Sequence, residues 1–144
     1  MSLNVELLES SFAQIKEREA EFSAHFYTNL FADYPIVKPL FTNSDMVEQQ
    51  KKLFKSLVLV VDNLRKSDVL TGALKGLGTR HVKYGVLPEH YPMVGSTLLK
   101  VFAICLEEAW TPDVERAWIE AYGVVAQVML DGAEYPAEIL NPAV

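Results

Sequence analysis

Histidine is the side chain whose charge and metal affinity change near neutral pH, and this sequence has three: His25, His81 and His90. His81 closes a stripe with Leu74 and Leu77 at helical spacing, which aims its imidazole at the interior. Such a ring is either a neutral core imidazole bonded to a backbone carbonyl or a ligand to a metal. A metal held by protein groups alone needs several ligands, and no second histidine or thiolate stands at a helical spacing that would join His81. Any metal there must arrive within a cofactor. Gln49 precedes Leu53 and Leu57 on one helical face, so an amide lies among apolar side chains. Tyr27 precedes Leu30 and Phe31 in the same way, its phenol aimed inward or at a helix boundary. A buried phenol and amide need partners, which are each other, the backbone or a shared ligand. The lone cysteine, Cys105, shares the stripe of Leu98, Val101 and Phe102. It is either a small core residue or an attachment point for another chromophore. His25 and His90 stand apart from this group.

The elements that must position these residues are helical. Val5, Leu8, Phe12 and Ile15 form one stripe, and Phe22, Phe26 and Leu30 form the next, with no period-two alternation. Pro35 and Pro39 interrupt the pattern, which predicts a turn-rich connector over 33–43. Asn43 or Ser44 then caps a helix that carries Asp45 and Glu48 in its first turn and runs through Leu53, Leu57 and Val61 to about Arg65. The next helix, from about Ser67 to Tyr84, contains Gly72, Gly76 and Gly78, each costing about 1 kcal/mol against alanine. Its stability must come from what it packs against, another helix or a ligand. A helix from about Pro88 to Trp110 follows. The last begins with Thr111 as cap and Pro112 at its first position, and repeats Val114, Trp118, Tyr122, Val125 and Met129. The expectation is an all-α fold of six main helices in one domain spanning 1–144, with about the last ten residues a loosely tied tail.

The composition narrows the partners. Half of the 144 residues are hydrophobic and 22% are charged, the balance of one ordinary globular domain. Thirteen Lys and Arg against nineteen Asp and Glu give a net charge of −6, and no basic run marks a nucleic-acid surface. The longest aliphatic run, Leu57 to Val61, is too short to cross a membrane, and MSLNVELLES lacks the basic start and apolar stretch of a signal peptide. With one cysteine there is no intramolecular disulfide, so the expected location is the cytoplasm.

An imidazole on one element, a phenol and an amide on others, and many phenylalanines and leucines to wall a flat ring together describe a haem site. The segments AHFYTNLF, KPLF after the proline turn, EQQKKLF, LGTRHVKYGVLPEHYPMVG and AWIEAYGVVAQVM make the sequence resemble a globin over nearly its whole length. The likeness is to single-domain bacterial haemoglobins and to the haem domain of flavohaemoglobins. It implies a globin fold around haem b (iron protoporphyrin IX). His81 then matches the proximal metal ligand, and Phe41 the aromatic residue that wedges the haem. Tyr27 and Gln49 match the distal pair, with Leu53 beside them and Val94 and Leu98 along the haem. Arg80 is either a propionate partner or a solvated charge. Tyr91 matches a tyrosine that works with a glutamate behind the proximal histidine to raise its electron donation. Here the chain departs from the pattern, because that glutamate position falls on Ala133. The nearest carboxylates are Asp131 and Glu134, the latter about 100° around an ideal helix.

The resemblance implies binding of dioxygen, carbon monoxide and nitric oxide at a five-coordinate or ligand-displaceable iron. Oxygen would be held tightly by hydrogen bonds from Tyr27 and Gln49. It also implies nitric oxide dioxygenation, with the electron drawn from a separate reductase, since the flavin and nicotinamide domains of a flavohaemoglobin lie beyond this stretch. Two other readings stand beside it: a gas sensor acting through a partner protein, and a haem-free globin-like protein.

Overall fold

The computed structural model describes residues 3–133. Among them are six α-helices: α1 (Val5–Lys16), α2 (Glu19–Asp33), α3 (Met46–Asp62), α4 (Ser67–Lys83), α5 (His90–Leu106) and α6 (Pro112–Ala133). The predicted all-α architecture is the observed one, and the tail expected at the carboxyl end lies outside the described residues.

Local chemistry sets the boundaries, in places differently from the sequence expectation. The proline connector is a 3-10 helix over Pro35–Phe41, because Pro35 fixes the first turn and short-range bonds such as Val37 N–H to the Tyr34 carbonyl (3.1 Å) close it. Neither Asn43 nor Ser44 caps α3. Asp45 does, its carboxylate accepting from the Val47 and Glu48 amides at the positive end of the helix dipole. The same helix stops at Asp62 rather than Arg65, since Asn63 turns back to bond the Leu59 carbonyl at 2.8 Å. At the end of α5, Glu107 takes φ 52°, which stops the helix at Leu106, short of the expected Trp110. Thr111 caps α6 as expected, through a 3.2 Å bond from the Val114 amide.

The larger buried cluster joins α1, α2, α3, α5 and α6 through a chain of rings. Phe12 stacks on Phe54 (5.4 Å), Phe22 on Phe102 (5.1 Å), and Phe102 meets Trp118 at 4.4 Å. The Trp118 indole donates to Ser11 Oγ at 2.9 Å, so its one polar atom is satisfied inside the core. The smaller cluster, Val60, Leu70, Leu74, Tyr91 and Met129, lies where α4 rests on α6. Although α3 and α4 are consecutive, they do not pack closely together, and α4 rests on α6 instead. The core thus has two parts: the helix carrying Gln49 belongs mainly to the larger one, and it meets the helix carrying His81 through Val60 at its far end, in the smaller one.

Candidate functional site

Tyr27 lies on the inner face of α2, buried, with three rings around it: Phe26 at 4.9 Å, Phe41 at 5.6 Å and Phe31 at 6.0 Å. Phe31 and Phe41 also meet edge to face at 5.4 Å, closing a triangle in which the 3-10 turn presses Phe41 against α2. The Tyr27 hydroxyl donates to the Gln49 main-chain carbonyl at 3.4 Å, a long and therefore weak bond. Burial pushes the phenol up to about 12, and the Gln49 side chain only partly opposes this, so at neutral pH Tyr27 is always a donor. The structure therefore brings Tyr27, Gln49 and Phe41 together. Leu53, Val94 and Leu98 join the same apolar cluster, Leu98 buried and the other two half-buried.

His81 is in the last turn of α4, half-buried, with Nδ1 2.8 Å from the Leu77 carbonyl. A carbonyl only accepts, so Nδ1 carries the proton and Nε2 keeps its lone pair. Burial lowers the affinity of the ring for a second proton, the Leu77 carbonyl opposes this in part, and the neighbouring Arg80 lowers it further. The backbone here is locked as well. Gly85 takes φ +87°, which lets its amide bond the Val82 carbonyl (3.0 Å) and the Val86 amide bond the His81 carbonyl (3.0 Å). His90, outside the candidate group, accepts from the Leu87 amide at 2.9 Å and so fixes the start of α5 just beyond.

The glycines of α4 sort by role. A Cβ on Gly78 would stand 2.0 Å from the Met129 carbonyl oxygen, and one on Gly132 would stand 2.5 Å from Lys75 Cα. The two helices cross at backbone contact, and the Thr79 hydroxyl bonds the Gly132 carbonyl at 2.9 Å. Helix α6 is the support that the glycine-rich sequence requires, while Gly72 has nothing near its absent side chain.

Tyr91 is buried in the smaller cluster, whereas Val94 and Leu98 of the same helix pack in the larger one, and its carbonyl accepts from the Tyr122 hydroxyl at 2.6 Å. The Tyr122 ring lies on Gly95, where a Cβ would come within 2.5 Å, so α5 and α6 are joined behind α4. Asp131 is exposed and accepts from Gln127 at 2.9 Å, Ala133 is buried, and Glu134 lies outside the described residues. Arg80 is exposed, its guanidinium 3.6 Å from where a Gly76 Cβ would be, and makes no ion pair among the described residues. Sequence reasoning named Phe31 only as a neighbour of Tyr27 at helical spacing, without a place in the site, and overlooked the Gly85 cap, visible as a glycine just past the helix end.

Among the described residues no hydrogen bond or ring contact joins His81 to Tyr27, Gln49 or Phe41, and no three His, Cys, Asp or Glu side chains gather as metal ligands would. Half-buried apolar side chains stand on both helices and next to them: Leu53 and Leu57 on α3 and Val94 on α5 pack against the larger cluster, and Leu77 on α4 and Val86 in the turn against the smaller one. Two surface depressions beside α1 offer neither a histidine nor a tyrosine. Among the described residues no helix is long and apolar enough to cross a membrane.

Comparison with known proteins bears on the same residues. The Globin family model matches residues 24–129. A flavohemoprotein of Bacillus subtilis is 30% identical over 128 residues, 88% of this chain and 32% of that protein. An uncharacterized globin-like protein of Aquifex aeolicus is 32% identical over 128 residues, 88% of each. A bacterial globin of Campylobacter jejuni superposes with a TM-score of 0.79 at 26% identity, covering 90% of this chain and 94% of that one. The chain spans about a third of the length of the flavohemoproteins it matches.

Proposed function

The chain belongs to the globin family, and on that premise we propose that it holds one haem b between α3 and α4 and binds dioxygen, carbon monoxide and nitric oxide on the side of Tyr27 and Gln49. The observation that carries this reading is the state of His81: proton on Nδ1, lone pair on Nε2, ring held by the Leu77 carbonyl at 2.8 Å. His81 Nε2 would hold haem through this lone pair, and the group would supply an iron able to bind a diatomic gas.

The remaining work falls to the chain itself. Because burial disfavours the protonated imidazole, His81 stays a ligand near neutral pH. The Tyr27 hydroxyl and the Gln49 amide donate to a ligand that carries partial negative charge. Giving up the 3.4 Å bond to the Gln49 carbonyl costs Tyr27 little when such a ligand arrives. In an apolar surround each of these bonds counts for more than in water, and Phe41, Leu53, Val94 and Leu98 provide that surround. Arg80, exposed beside His81, meets a propionate at the edge. Tyr91, behind α4, belongs to the support of the proximal side rather than to the pocket wall. With a reductase as electron source the same pocket converts nitric oxide, dioxygen and one electron to nitrate. The buried single cysteine, Cys105, suits the reducing cytoplasm in which such a donor works.

The test is an absorption spectrum of the purified chain, ferric, dithionite-reduced and carbon monoxide-bound. The expected result is a haem Soret band that shifts with carbon monoxide and is lost or severely weakened in His81→Ala. A chain that takes up no haem, or a His81→Ala spectrum equal to the parent's, overturns the assignment.

A further inference from the structure

Tyr84 is 62% exposed, and its ring centre lies 6.0 Å from that of the half-buried His81, so the surface at Tyr84 is close to the imidazole. The surface around it differs from the rest of the molecule. Between Val69 and Pro88 the sequence has Lys75, Arg80 and Lys83 and no carboxylate, in a chain whose acidic residues outnumber its basic ones by nineteen to thirteen. Leu40 lies against Gly85, its Cδ2 3.5 Å from where a Cβ would be, so the turn carrying Ile36 and Lys38 adjoins the end of α4. Ile36 on that turn is exposed, as are Val82 and Leu87, two residues before and three after Tyr84 in the chain. Among the described residues none of Lys38, Lys75, Arg80 and Lys83 is in an ion pair. Apolar side chains rimmed by unpaired cations, on an acidic molecule, match a partner whose own surface is acidic.

The geometry points to an acidic electron-transfer protein as the occupant of the surface formed by Ile36, Lys38, Val82, Lys83, Tyr84 and Leu87. This rests on the haem reading, because the site served is the metal beyond His81. In the docked pair one electron leaves a reduced flavin of the partner, hydroquinone becoming semiquinone, and ferric iron becomes ferrous; no other bond is made or broken. Lys38 and Lys83 steer and hold the partner, and Tyr84 makes the contact closest to the imidazole.

Flavodoxin, an acidic flavin protein, is the probe. Oxidised flavodoxin titrated into the haem-loaded chain by calorimetry should bind about tenfold more weakly at about 300 mM salt than at about 20 mM. The double variant Lys38→Glu/Lys83→Glu should also weaken binding about tenfold at low salt. Lys16→Glu/Lys55→Glu changes the net charge equally at residues outside the proposed surface, Lys16 lining a depression with Val61 and Asp62, and should stay within about twofold. Reduction of the ferric protein by flavodoxin hydroquinone should slow in parallel, with the carbon monoxide spectrum unchanged. Failure of flavodoxin to bind, equal weakening by both double variants, or binding to phosphatidylserine vesicles in its place overturns the assignment. A chain without a Soret band overturns the haem reading and this one with it. A normal Soret band with undiminished binding in Lys38→Glu/Lys83→Glu overturns the docking surface alone.

Discussion

Tyr27 is fixed by its neighbours, whereas His81 is fixed by its own backbone. Around Tyr27 the restraints are the rings of Phe26, Phe31 and Phe41 and one hydrogen bond of 3.4 Å. At His81 they are the Leu77 carbonyl, the cap made by Gly85 and Val86, and the glycine crossing that seats α4 on α6. A wall of side chains yields by rotation and keeps its fold when one atom is removed. A wall of touching backbones has no slack, so adding one carbon is worse there than removing one. On the proposed function, a ligand arriving beside Tyr27 would meet an adjustable donor, while His81, the proposed metal ligand, is held in place.

The largest effect should come from adding that carbon. In Gly78→Ala the new Cβ would sit 2.0 Å from the Met129 carbonyl, a backbone atom that no rotamer change relieves. We expect a loss of about 3 kcal/mol in urea unfolding and, since α4 must lift from α6 with His81 on it, weakened haem retention. A loss below about 1 kcal/mol would mean that α4 is not held as tightly as the crossing implies.

This crossing also marks where sequence reasoning ends. Stripes of Leu, Val and Phe made the six helices legible, because burial of one face is what a period of 3.6 records. Tyr27, Gln49 and Phe41 stood out by residue type and by their likeness to a known family, and the structure brings the three side by side. The glycines of α4 announced only that support was needed, since a glycine that permits contact and one that permits nothing look alike in sequence. Gly78 meets α6 while Gly72 meets nothing. The cap of α3 was misplaced by one or two residues for a related reason: Asn43, Ser44 and Asp45 all have capping side chains, and only the backbone path selects Asp45.

Next in size is the distal hydroxyl. Tyr27→Phe removes a donor from a ligand that bears partial charge, and dioxygen dissociation should quicken by about tenfold or more, or about 1.4 kcal/mol, with carbon monoxide binding almost unchanged. Unfolding should stay within about 0.5 kcal/mol of the parent, because the bond lost in the free protein is the long one to Gln49. Flash photolysis and stopped-flow mixing measure the first, urea titration the second. Unaltered oxygen kinetics would remove Tyr27 from the site; a large loss of stability would make its wall as rigid as the one opposite. Tyr122→Phe tests the other side with the same single-atom change. There the bond is short, 2.6 Å to the Tyr91 carbonyl, and the phenol is held well above its usual range, by burial first and by the proximity of Tyr91 second. Its loss leaves a carbonyl without that donor, and we expect about 1 kcal/mol in the same unfolding experiment.

The smallest effect should have the opposite sign. Gly72→Ala adds the same carbon to the same helix as Gly78→Ala, six residues earlier, but with no atom within 4 Å to meet it. What remains is the backbone term: alanine gives up less conformational freedom on becoming helical, and Gly72 lies inside α4 with no positive φ to preserve. A gain of about 0.5 to 1 kcal/mol should follow, with the Soret band and ligand kinetics of the parent intact. If Gly72→Ala instead destabilised the chain as Gly78→Ala should, the cost would belong to α4 as a helix that resists side chains anywhere along its length. If it stabilises, the penalty at Gly78 belongs to the α6 backbone, and the proximal wall owes its rigidity to that crossing.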